Sequence, residues 1–359
     1  MGRVAQSVGL ALLLAGAAVL AGAAPTSATG GNVTEYPLPP NYPYCVCPTD
    51  MVTGPDGNLW FAENGGAVGY GAIGRMTTSG LVTEFRLPTF NSSPVGISVG
   101  PAGTQNLWFT EQNTNRIGEI TTGGMLTQFT LPLAASQPRG ITLGPDGNLW
   151  FTQSLANTTT TTCNHHKCTT TTPSTTTGYI GRITPAGLVT EFAIPIAYSR
   201  PTWITSGPDS NLWFTDQNTN SVDKMTTAGS VTEYSLPTAA SQPSGITAGP
   251  DGNIWLTEEN AGNIARVTIA TGVVTEFPAV AAPARIVTGP DGNLWFTEYF
   301  TATAPSGIGT MSPAGSLLAS YTNLSTNAGP QGITVGPSTD GRIWFTEEPV
   351  GAIAAITIS

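Results

Sequence analysis

Charged side chains are scarce in this sequence, and basic ones are the scarcest. Of its 359 residues, 9% are charged, and 12 Lys and Arg stand against 22 Asp and Glu, for a formal net charge of −10. Proteins bind nucleic acids and anionic lipid surfaces chiefly through clustered basic side chains. We therefore expect no nucleic-acid partner for this chain.

Apolar runs long enough to cross a bilayer, about 20 residues, are also missing. The nearest is the segment 10–24, which follows Arg3 and leads into small residues with Ala-x-Ala patterns ending at Ala23 and Ala28. This order is typical of a secretory signal peptide. We predict a signal peptide over residues 1–28, cleaved after Ala23 or Ala28. The mature protein is then secreted, with no membrane insertion after signal removal.

Internal repetition, by contrast, is abundant. A Trp preceded by Leu or Ile recurs in near-identical surroundings at Trp60, Trp108, Trp150, Trp213, Trp255, Trp295 and Trp344. The shortest unit consists of four short β-rich segments, at 245–248, 253–257, 263–268 and 274–277, with a Gly-Pro-Asp-Gly turn between the first two. A repeated four-stranded unit of roughly 40–45 residues is a propeller blade. The sequence therefore predicts an all-β, seven-bladed β-propeller of four-stranded blades.

The two ends of the repeat region predict how the ring closes. Residues 33–36 have the pattern of a fourth strand but lack the three strands that should precede it. Residues 353–358 have the pattern of a third strand and lack a fourth. Pairing the two would complete the last blade and cover both open edges. We expect a single domain over residues 29–359, and a monomer.

Departures from the repeat concentrate on one face of the predicted ring. We call it the upper face: it carries the starts of the first strands and the loops between the second and third strands. Three of those loops are lengthened, at 65–71, 157–178 and 299–306, and the second is a Thr-rich insertion whose composition favours a mobile loop. Since the shared part of a repeat maintains the fold, we expect function on this face.

The start of each first strand has the common form Pro-x-Gly-Ile, and it too varies. The Gly is replaced by Asp50, Trp203 and Arg285 in three blades, and the x position holds Arg139 and Gln331 in two others. A carboxylate, two guanidiniums, an indole and an amide around the channel mouth would suit a polar or aromatic ligand. We predict these five residues as the binding site. The alternative is that Trp203 fills a gap and Arg285 pairs with a nearby acid.

An acid ends the Trp motif in six blades, and Gln153 takes its place in the third. These acids are Glu63, Glu111, Asp216, Glu258, Glu298 and Glu347. A residue kept in nearly every blade is expected to be structural, holding backbone N–H groups or a neighbouring Arg. In the last blade, Glu347 is followed by Glu348. The two carboxylates together are the candidate ligands for a hard cation.

The four cysteines are Cys45, Cys47, Cys163 and Cys168. In an exported protein we expect them to be oxidised. The second pair could close a small loop, whereas a bridge within the first pair would be strained. Bridges between the pairs stay open, because both loops fall on the upper face. A zinc site from the second pair with His165 and His166 is the alternative, although six consecutive residues can hardly surround one ion tetrahedrally.

The blade consensus itself resembles a known family. Repeated Gly-Pro-Asp-Gly-Asn-Leu-Trp-Phe-Thr-Glu, followed by Ile-Gly-Arg-Ile as at 180–183 and Val-Thr-Glu-Phe as at 189–192, is similar to the streptogramin B lyase (virginiamycin B lyase) family over nearly all of residues 33–359. The resemblance implies a seven-bladed propeller that linearises a cyclic depsipeptide by elimination. A base removes the proton next to the ester-bearing carbon while Mg²⁺ polarises the ester.

The resemblance also implies where that chemistry would sit. Positions of the lyases' working histidines correspond to Ala284 and Gln331, and their magnesium-binding acids to Gly329 and Glu348. Neither Ala nor Gln transfers a proton near neutral pH. We therefore predict no catalytic residue and a module that binds a small cyclic peptide, a glycan or a protein. The alternative is a Mg²⁺-dependent lyase with a rearranged site, its imidazole supplied by the Thr-rich loop.

Overall fold

The computed structural model describes residues 3–5, 11–14, 17–20, 26–27, 33–39, 47–65, 69–155, 160–164, 167–171, 177–301, 304–325 and 327–358. Within these ranges the chain consists of strands, turns and irregular segments, with no helix. Accordingly, the described part contains no helix able to span a membrane. The first strands along the chain are β1 (Arg3–Ala5), β2 (Ala11–Leu14), β3 (Ala17–Leu20), β4 (Thr26–Ser27) and β5 (Val33–Pro37).

The blades follow in chain order, each with its innermost strand first. Blade 1 contains β6 (Pro48–Thr53), β7 (Leu59–Glu63), β8 (Tyr70–Met76) and β9 (Val82–Phe90). Blade 2 contains β10 (Pro94–Val99), β11 (Asn106–Glu111), β12 (Arg116–Thr121) and β13 (Met125–Thr130). Blade 3 contains β14 (Ile141–Leu143) and β15 (Leu149–Ser154), then, after the inserted strands β16 (Thr160–Asn164) and β17 (Lys167–Thr171), β18 (Gly178–Ile183) and β19 (Val189–Ala193).

The second half of the ring repeats the same order. Blade 4 contains β20 (Pro201–Ser206), β21 (Leu212–Asp216), β22 (Ser221–Met225) and β23 (Val231–Ser235). Blade 5 contains β24 (Pro243–Ala248), β25 (Ile254–Glu258), β26 (Asn263–Thr268) and β27 (Val273–Pro278). Blade 6 contains β28 (Ala282–Thr288), β29 (Leu294–Tyr299), β30 (Gly307–Met311) and β31 (Leu317–Tyr321). Blade 7 contains β32 (Pro330–Val335), β33 (Arg342–Glu347) and β34 (Ala352–Thr357).

Closure occurs as the sequence predicts. Strand β5 pairs antiparallel with β34, with Tyr36 opposite Ile353, and becomes the fourth strand of blade 7. Each innermost strand contacts that of the next blade, and β32 contacts β6, so the ring is closed. The remaining early strands pair with outermost strands: β1 with β19, β2 with β13, β3 with β9 and β4 with β5. The seven-bladed, all-β prediction is confirmed.

The core lies between the blades, and the Leu-Trp-Phe motif explains it. Successive side chains of a strand point to opposite faces, so Phe61 packs towards blade 7 with Trp344, while Trp60 packs towards blade 2 with Phe109. Both residues of the first motif are 0% exposed. The same alternation gives one apolar cluster at each junction between adjacent blades.

The Gly-Pro-Asp-Gly turn fixes the Trp side chains. In blade 1, Gly57 adopts a φ of 73°, a left-handed conformation that favours glycine. The turn brings Asp56 Oδ1 to 2.9 Å from the indole Nε1 of Trp60, which donates a hydrogen bond to it. Because the turn recurs, equivalent bonds form in blades 3, 4, 5 and 6.

Structure is also present within the Thr-rich insertion. Strands β16 and β17 form a separate two-stranded sheet whose backbone register places Cys163 opposite Cys168. Residues His165, His166 and Cys45 lie outside the described residues. The expected disulfides and the zinc alternative therefore stay predictions.

Candidate functional site

The channel mouth is built from the first residues of the innermost strands. In blades 1, 4 and 6 the pairing register shifts between the initial Pro and the residue two or three positions later, which marks a bulge. A bulge re-aims the side chains that it contains. Asp50, Trp203 and Arg285 all occupy this irregular stretch.

Glycines of neighbouring blades make room for these larger residues. A Cβ added to Gly245 would lie 2.7 Å from the Cα of Arg285, and one added to Gly332 would lie 2.6 Å from the Cα of Asp50. Real Cβ contacts are not this short, so the innermost strands can approach closely only where one of the two residues is Gly. This explains why a large residue at this position faces a Gly in the preceding blade.

Arg285 and Trp203 form the centre of the site. The guanidinium carbon of Arg285 lies 3.3 Å from the centroid of the Trp203 ring, a cation–π contact. Arg285 Nη1 also donates to Ser244 Oγ at 3.2 Å. Burial lowers the pKa of Arg285 to about 10, against a smaller opposite effect of Asp50. Among the described residues no carboxylate oxygen lies within 4.0 Å of this guanidinium, although the charges of Asp50 and Glu259 act on it.

Asp50 is a carboxyl group that titrates close to neutrality. Burial raises its pKa to about 6, and the charge of Arg285 and a backbone hydrogen bond partly offset this rise. The bond runs from the Ile97 N–H to Asp50 Oδ2, at 3.1 Å. One face of the carboxylate is thereby engaged with blade 2, while the side chain lines the channel.

The mouth contains two further residues that the sequence did not single out as ligands. Burial raises the pKa of Tyr299 to about 12. Burial likewise raises the pKa of Glu259, and the charges of Arg285 and Arg139 oppose that rise. Arg139 itself lies 6.0 Å from the Trp203 ring centroid. Two sequence features could have indicated these residues: Tyr299 starts a lengthened loop, and Glu259 is an acid that most blades lack.

Gln331 and Glu348 meet at the same mouth. The Gln331 amide donates to Glu348 Oε2 at 2.7 Å, and the Glu348 N–H donates to the carbonyl of Gly329 at 3.2 Å. Ala284 is 1% exposed, and its carbonyl accepts a hydrogen bond from Thr257 Oγ1. The positions matched to the lyase histidines therefore carry a buried methyl group and an amide.

The predicted cation ligands Glu347 and Glu348 are adjacent in sequence but have different surroundings. Burial, followed by the charge of Glu35, raises the pKa of Glu347 to about 8, and this side chain is 0% exposed in the interior of blade 7. Glu348 is half-buried at the mouth beside Gln331. Within the described ranges no group of three or more His, Cys, Asp or Glu side chains is arranged to hold a metal ion. Of the two predicted cation ligands, only Glu348 lies at the mouth, and the magnesium site stays a prediction.

Some acids of the blade interiors accept hydrogen bonds from the connection that enters their own blade. Asp216 accepts a backbone hydrogen bond from Arg200 at 2.9 Å, and Glu298 accepts one from Val280 at 3.2 Å. In other blades the partner is the acid or amide of the Val-Thr-Glu-Phe strand, as where Gln128 donates to Glu111 Oε1 at 2.6 Å. These contacts agree with a structural role.

A cavity of about 200 Å³ lies in the channel at the level of these residues. Its polar wall includes Asp50, Trp203 and Arg285. Its apolar wall is a ring of aliphatic side chains, namely Met51, Ile97, Ile141, Ile204, Ile246, Ile286 and Ile333. The site is thus amphipathic, and its lining carries charges of both signs.

Comparison with known proteins agrees with this architecture. Residues 17–175 match the family described as the Virginiamycin B lyase family. The chain is 32% identical to selenomethionine-substituted virginiamycin B lyase from Staphylococcus aureus, with a TM-score of 0.76 over 91% of this chain and 99% of that one. It is 31% identical to a streptogramin B lyase, with a TM-score of 0.75 over 91% and 97% of the two chains.

A third similar structure is a catalytically inactive virginiamycin B lyase from Staphylococcus aureus, with one His replaced by Ala, solved with quinupristin. It is 30% identical, with a TM-score of 0.75 over 91% of this chain and 99% of that one. Hydrazine synthase from Kuenenia stuttgartiensis, 14% identical with a TM-score of 0.63 over 88% and 96% of the chains, shares the fold alone. A comparison with curated proteins gives no match.

Proposed function

Because the chain belongs to the virginiamycin B lyase family, we propose that it is a non-catalytic binding propeller whose ligand occupies the upper mouth of the channel. The observation that carries the proposal is the pair Ala284 and Gln331 at the positions of the lyases' working histidines. Elimination requires a base at the α-proton, and neither side chain titrates near neutral pH. Loss of a general base typically lowers a rate by about 10²–10⁴-fold.

The surroundings of Glu348 support the same proposal. Its carboxylate is the only acidic side chain kept at the two matched metal positions, and it accepts a hydrogen bond from Gln331. Gly329 offers only its backbone there. Mg²⁺ in proteins is usually held by one or two carboxylates together with several waters, and here one of the two matched carboxylates is missing. We therefore assign no magnesium-dependent step to this chain.

The related lyases supply a useful precedent. A single His-to-Ala replacement is present in the Staphylococcus aureus lyase described as catalytically inactive, and that protein was solved with quinupristin. This chain lacks both histidines at the matched positions. The precedent favours binding without turnover, and the mixed mouth of Arg139, Trp203 and Arg285 suits a small cyclic peptide, a glycan or a protein segment.

Turnover of a streptogramin B compound is the direct test. We expect the protein with quinupristin and Mg²⁺ to leave the compound cyclic, as followed by mass spectrometry against an active virginiamycin B lyase. Linearisation at a rate comparable to that lyase would overturn the proposal and favour the alternative, a Mg²⁺-dependent lyase with a rearranged site. Replacing His165 and His166 would then show whether the Thr-rich insertion supplies the base.

Export is part of the same proposal. Residues 1–28 have the order of a signal peptide, and a secreted protein of this kind would carry oxidised cysteines. We expect the exported mature protein to begin after Ala23 or Ala28, to be monomeric and to show no titratable thiol. Four free thiols, or one tightly bound zinc ion per chain, would contradict the disulfide assignment.

A further inference from the structure

The channel cavity is small and has two chemically distinct walls. Its volume of about 200 Å³ is below the range of about 300–1,000 Å³ typical of pockets for drug-sized ligands. One wall is the aliphatic ring defined above, to which every blade contributes one side chain. The other wall carries Asp50, Trp203 and Arg285. A matching ligand is therefore a small molecule with a polar end and an apolar body.

Two N–H groups on the polar wall have no internal acceptor. Among the described residues, neither Trp203 Nε1 nor Arg285 Nε has a hydrogen-bond partner, although these residues are only 7% and 9% exposed. The Trp Nε1 groups of the Gly-Pro-Asp-Gly turns, by contrast, donate to an Asp, as Trp150 does to Asp146 at 2.9 Å. Buried donors without acceptors are costly. A ligand carboxylate is the acceptor that a guanidinium binds best.

A carboxylate alone would not match the whole wall. Asp50 lines the same cavity, makes no ion pair with Arg285 within 4.0 Å, and accepts backbone hydrogen bonds from Ile97 and Met51. An anionic ligand would be repelled by the ionised form of this side chain. A ligand that also carries an ammonium group pairs both charges and brings no net charge into a buried site.

We infer that this cavity binds a free aliphatic α-amino acid. Its carboxylate accepts from Arg285 and Trp203, its ammonium group donates to Asp50, and its side chain lies against the aliphatic ring. The inference rests on the proposed binding role and adds, for the cavity itself, a ligand smaller than those proposed for the mouth.

Calorimetric titration of the full chain with L-leucine tests it. Two matched probes each lack one charge: 4-methylpentanoate has no ammonium group, and 3-methylbutylamine has no carboxylate. We expect leucine to bind with a Kd of about 1 mM or tighter, and each probe to bind at least about tenfold more weakly. No binding of leucine at ten times that concentration, or equal binding of 4-methylpentanoate, would overturn the inference.

Two variants locate the binding. Trp203→Phe keeps an aromatic ring and removes one N–H, so we expect roughly three- to tenfold weaker binding. Asp50→Asn keeps a side-chain acceptor for the Ile97 N–H and removes the charge, so we expect a loss of at least about tenfold. Thermal melting of each variant checks that the fold is intact.

A matched control is available in blade 2. Trp108 Nε1 is also buried without a partner, but its ring belongs to the apolar cluster between blades 2 and 3. Trp108→Phe should leave leucine binding unchanged, and an equal weakening in both Trp variants would overturn the assignment. If leucine does not bind, the amino-acid inference fails, and the proposed lack of lyase turnover is unaffected. If the protein linearises quinupristin, the proposed function fails, and leucine binding is still decided by the titration.

Discussion

The blade interiors and the channel mouth both bury polar side chains, but they satisfy them in different ways. In blades 2, 3 and 6 the interior acid has a neutral donor as its partner, as where Gln153 Nε2 donates to Glu191 Oε1 at 3.1 Å. At the mouth, Trp203 and Arg285 keep donors that no described acceptor reaches. Among the described residues, the interior leaves acceptor oxygens without a partner, including both of Asp223 and both of Glu347, whereas the mouth leaves N–H donors without one. A carboxyl group can be neutralised by protonation, but an unpaired guanidinium or indole N–H needs an acceptor.

Within the interiors, the blades also differ from one another. Blade 7 opposes Glu347 with Glu35, and blade 5 opposes Glu258 with Glu276, so each places two carboxyls together. The outer acid is held by the connection entering its own blade, since Glu276 Oε1 accepts from the Thr238 N–H at 2.8 Å. The inner acid is then the one that retains a proton. A Gln in blade 3 supplies permanently the donor that the carboxyl pair obtains by protonation.

The largest expected effect comes from removing the strand that completes blade 7. Deleting residues 29–38 removes β5, which carries Glu35 and the buried side chains of Val33 and Tyr36, and exposes the edge of β34. An open edge of this kind promotes aggregation. We expect little soluble protein and loss of the cooperative thermal transition. Deleting residues 1–28 instead is the control and should leave melting unchanged; an unchanged melting temperature after deletion of residues 29–38 would refute the closure argument.

A second test converts blade 3 into an acid pair. Gln153→Glu would place a carboxyl beside Glu191 and remove the donor that now bonds both this acid and Ser136 Oγ at 2.7 Å. Because Gln153 is 0% exposed, the new charge would be buried without a partner. We expect a loss of about 3–5 kcal/mol in the free energy of unfolding at alkaline pH, and a smaller loss in acid.

Urea denaturation at several pH values measures this effect. Gln153→Met serves as the control, because it removes the same hydrogen bonds without adding a charge. Its loss of stability should be independent of pH. If the Glu and Met variants were equally destabilised at every pH, a carboxyl at this position would cost no more than the lost hydrogen bonds. The difference between a Gln–Glu pair and a Glu–Glu pair would then not affect stability.

The reciprocal change is Glu347→Gln in blade 7. Burial and Glu35 raise the pKa of Glu347 from 4.5 to about 8. The folded protein thus keeps a proton that the unfolded chain loses above about pH 4.5. Stability from this group is fully present below that pH and declines as the pH rises to about 8, by up to about 1.4 kcal/mol per unit.

We expect Glu347→Gln to remove this group's share of the decline and to be more stable than the parent near pH 9. Urea denaturation between about pH 5 and pH 9 checks the slope. A variant whose pH dependence equals that of the parent would show that the carboxyl pair does not retain the proton.

The sequence predicts the blades well because the determinants of a blade are local. A Gly-Pro turn, most often Gly-Pro-Asp-Gly, and a strand with Leu-Trp or Ile-Trp define each unit, and both can be found without knowing what packs on them. The contributions of Tyr299 and Glu259 to the mouth could not be predicted in this way. Tyr299 ends the strand that pairs with the strand of Arg285, and Glu259 follows the second strand of the preceding blade, so their approach to Arg285 depends on strand register and on the packing of adjacent blades.

The polar pairs inside the blades could be predicted in part: less well than the blades, but better than the residues of the mouth. The recurrence of an acid after the Trp motif indicates a structural role, but the partner lies two strands away. The register of β33, β34 and β5 is needed to place Glu347 beside Glu35. Gln153 was visible as a departure from the repeat, and its meaning becomes clear only once Glu191 is known to be its acceptor.

The smallest expected effect compares two tryptophans directly. Trp150→Phe and Trp203→Phe remove the same atoms, but Trp150 Nε1 donates to Asp146 at 2.9 Å while Trp203 Nε1 has no described acceptor. Replacing Trp150 by Phe removes this hydrogen bond, although Asp146 keeps its bonds from Asn148, so the change costs about 0.5–1.5 kcal/mol beyond the loss of packing.

Removing the indole of Trp203 loses no internal hydrogen bond, and the phenyl ring still offers a face to Arg285. Both variants should lower the free energy of unfolding. We therefore expect the loss in Trp203→Phe to be smaller than the loss in Trp150→Phe by about 1 kcal/mol. Urea denaturation without any added ligand measures both. Equal losses would mean that the Trp203 N–H already has an acceptor in the folded protein, and the contrast between interior and mouth would then disappear.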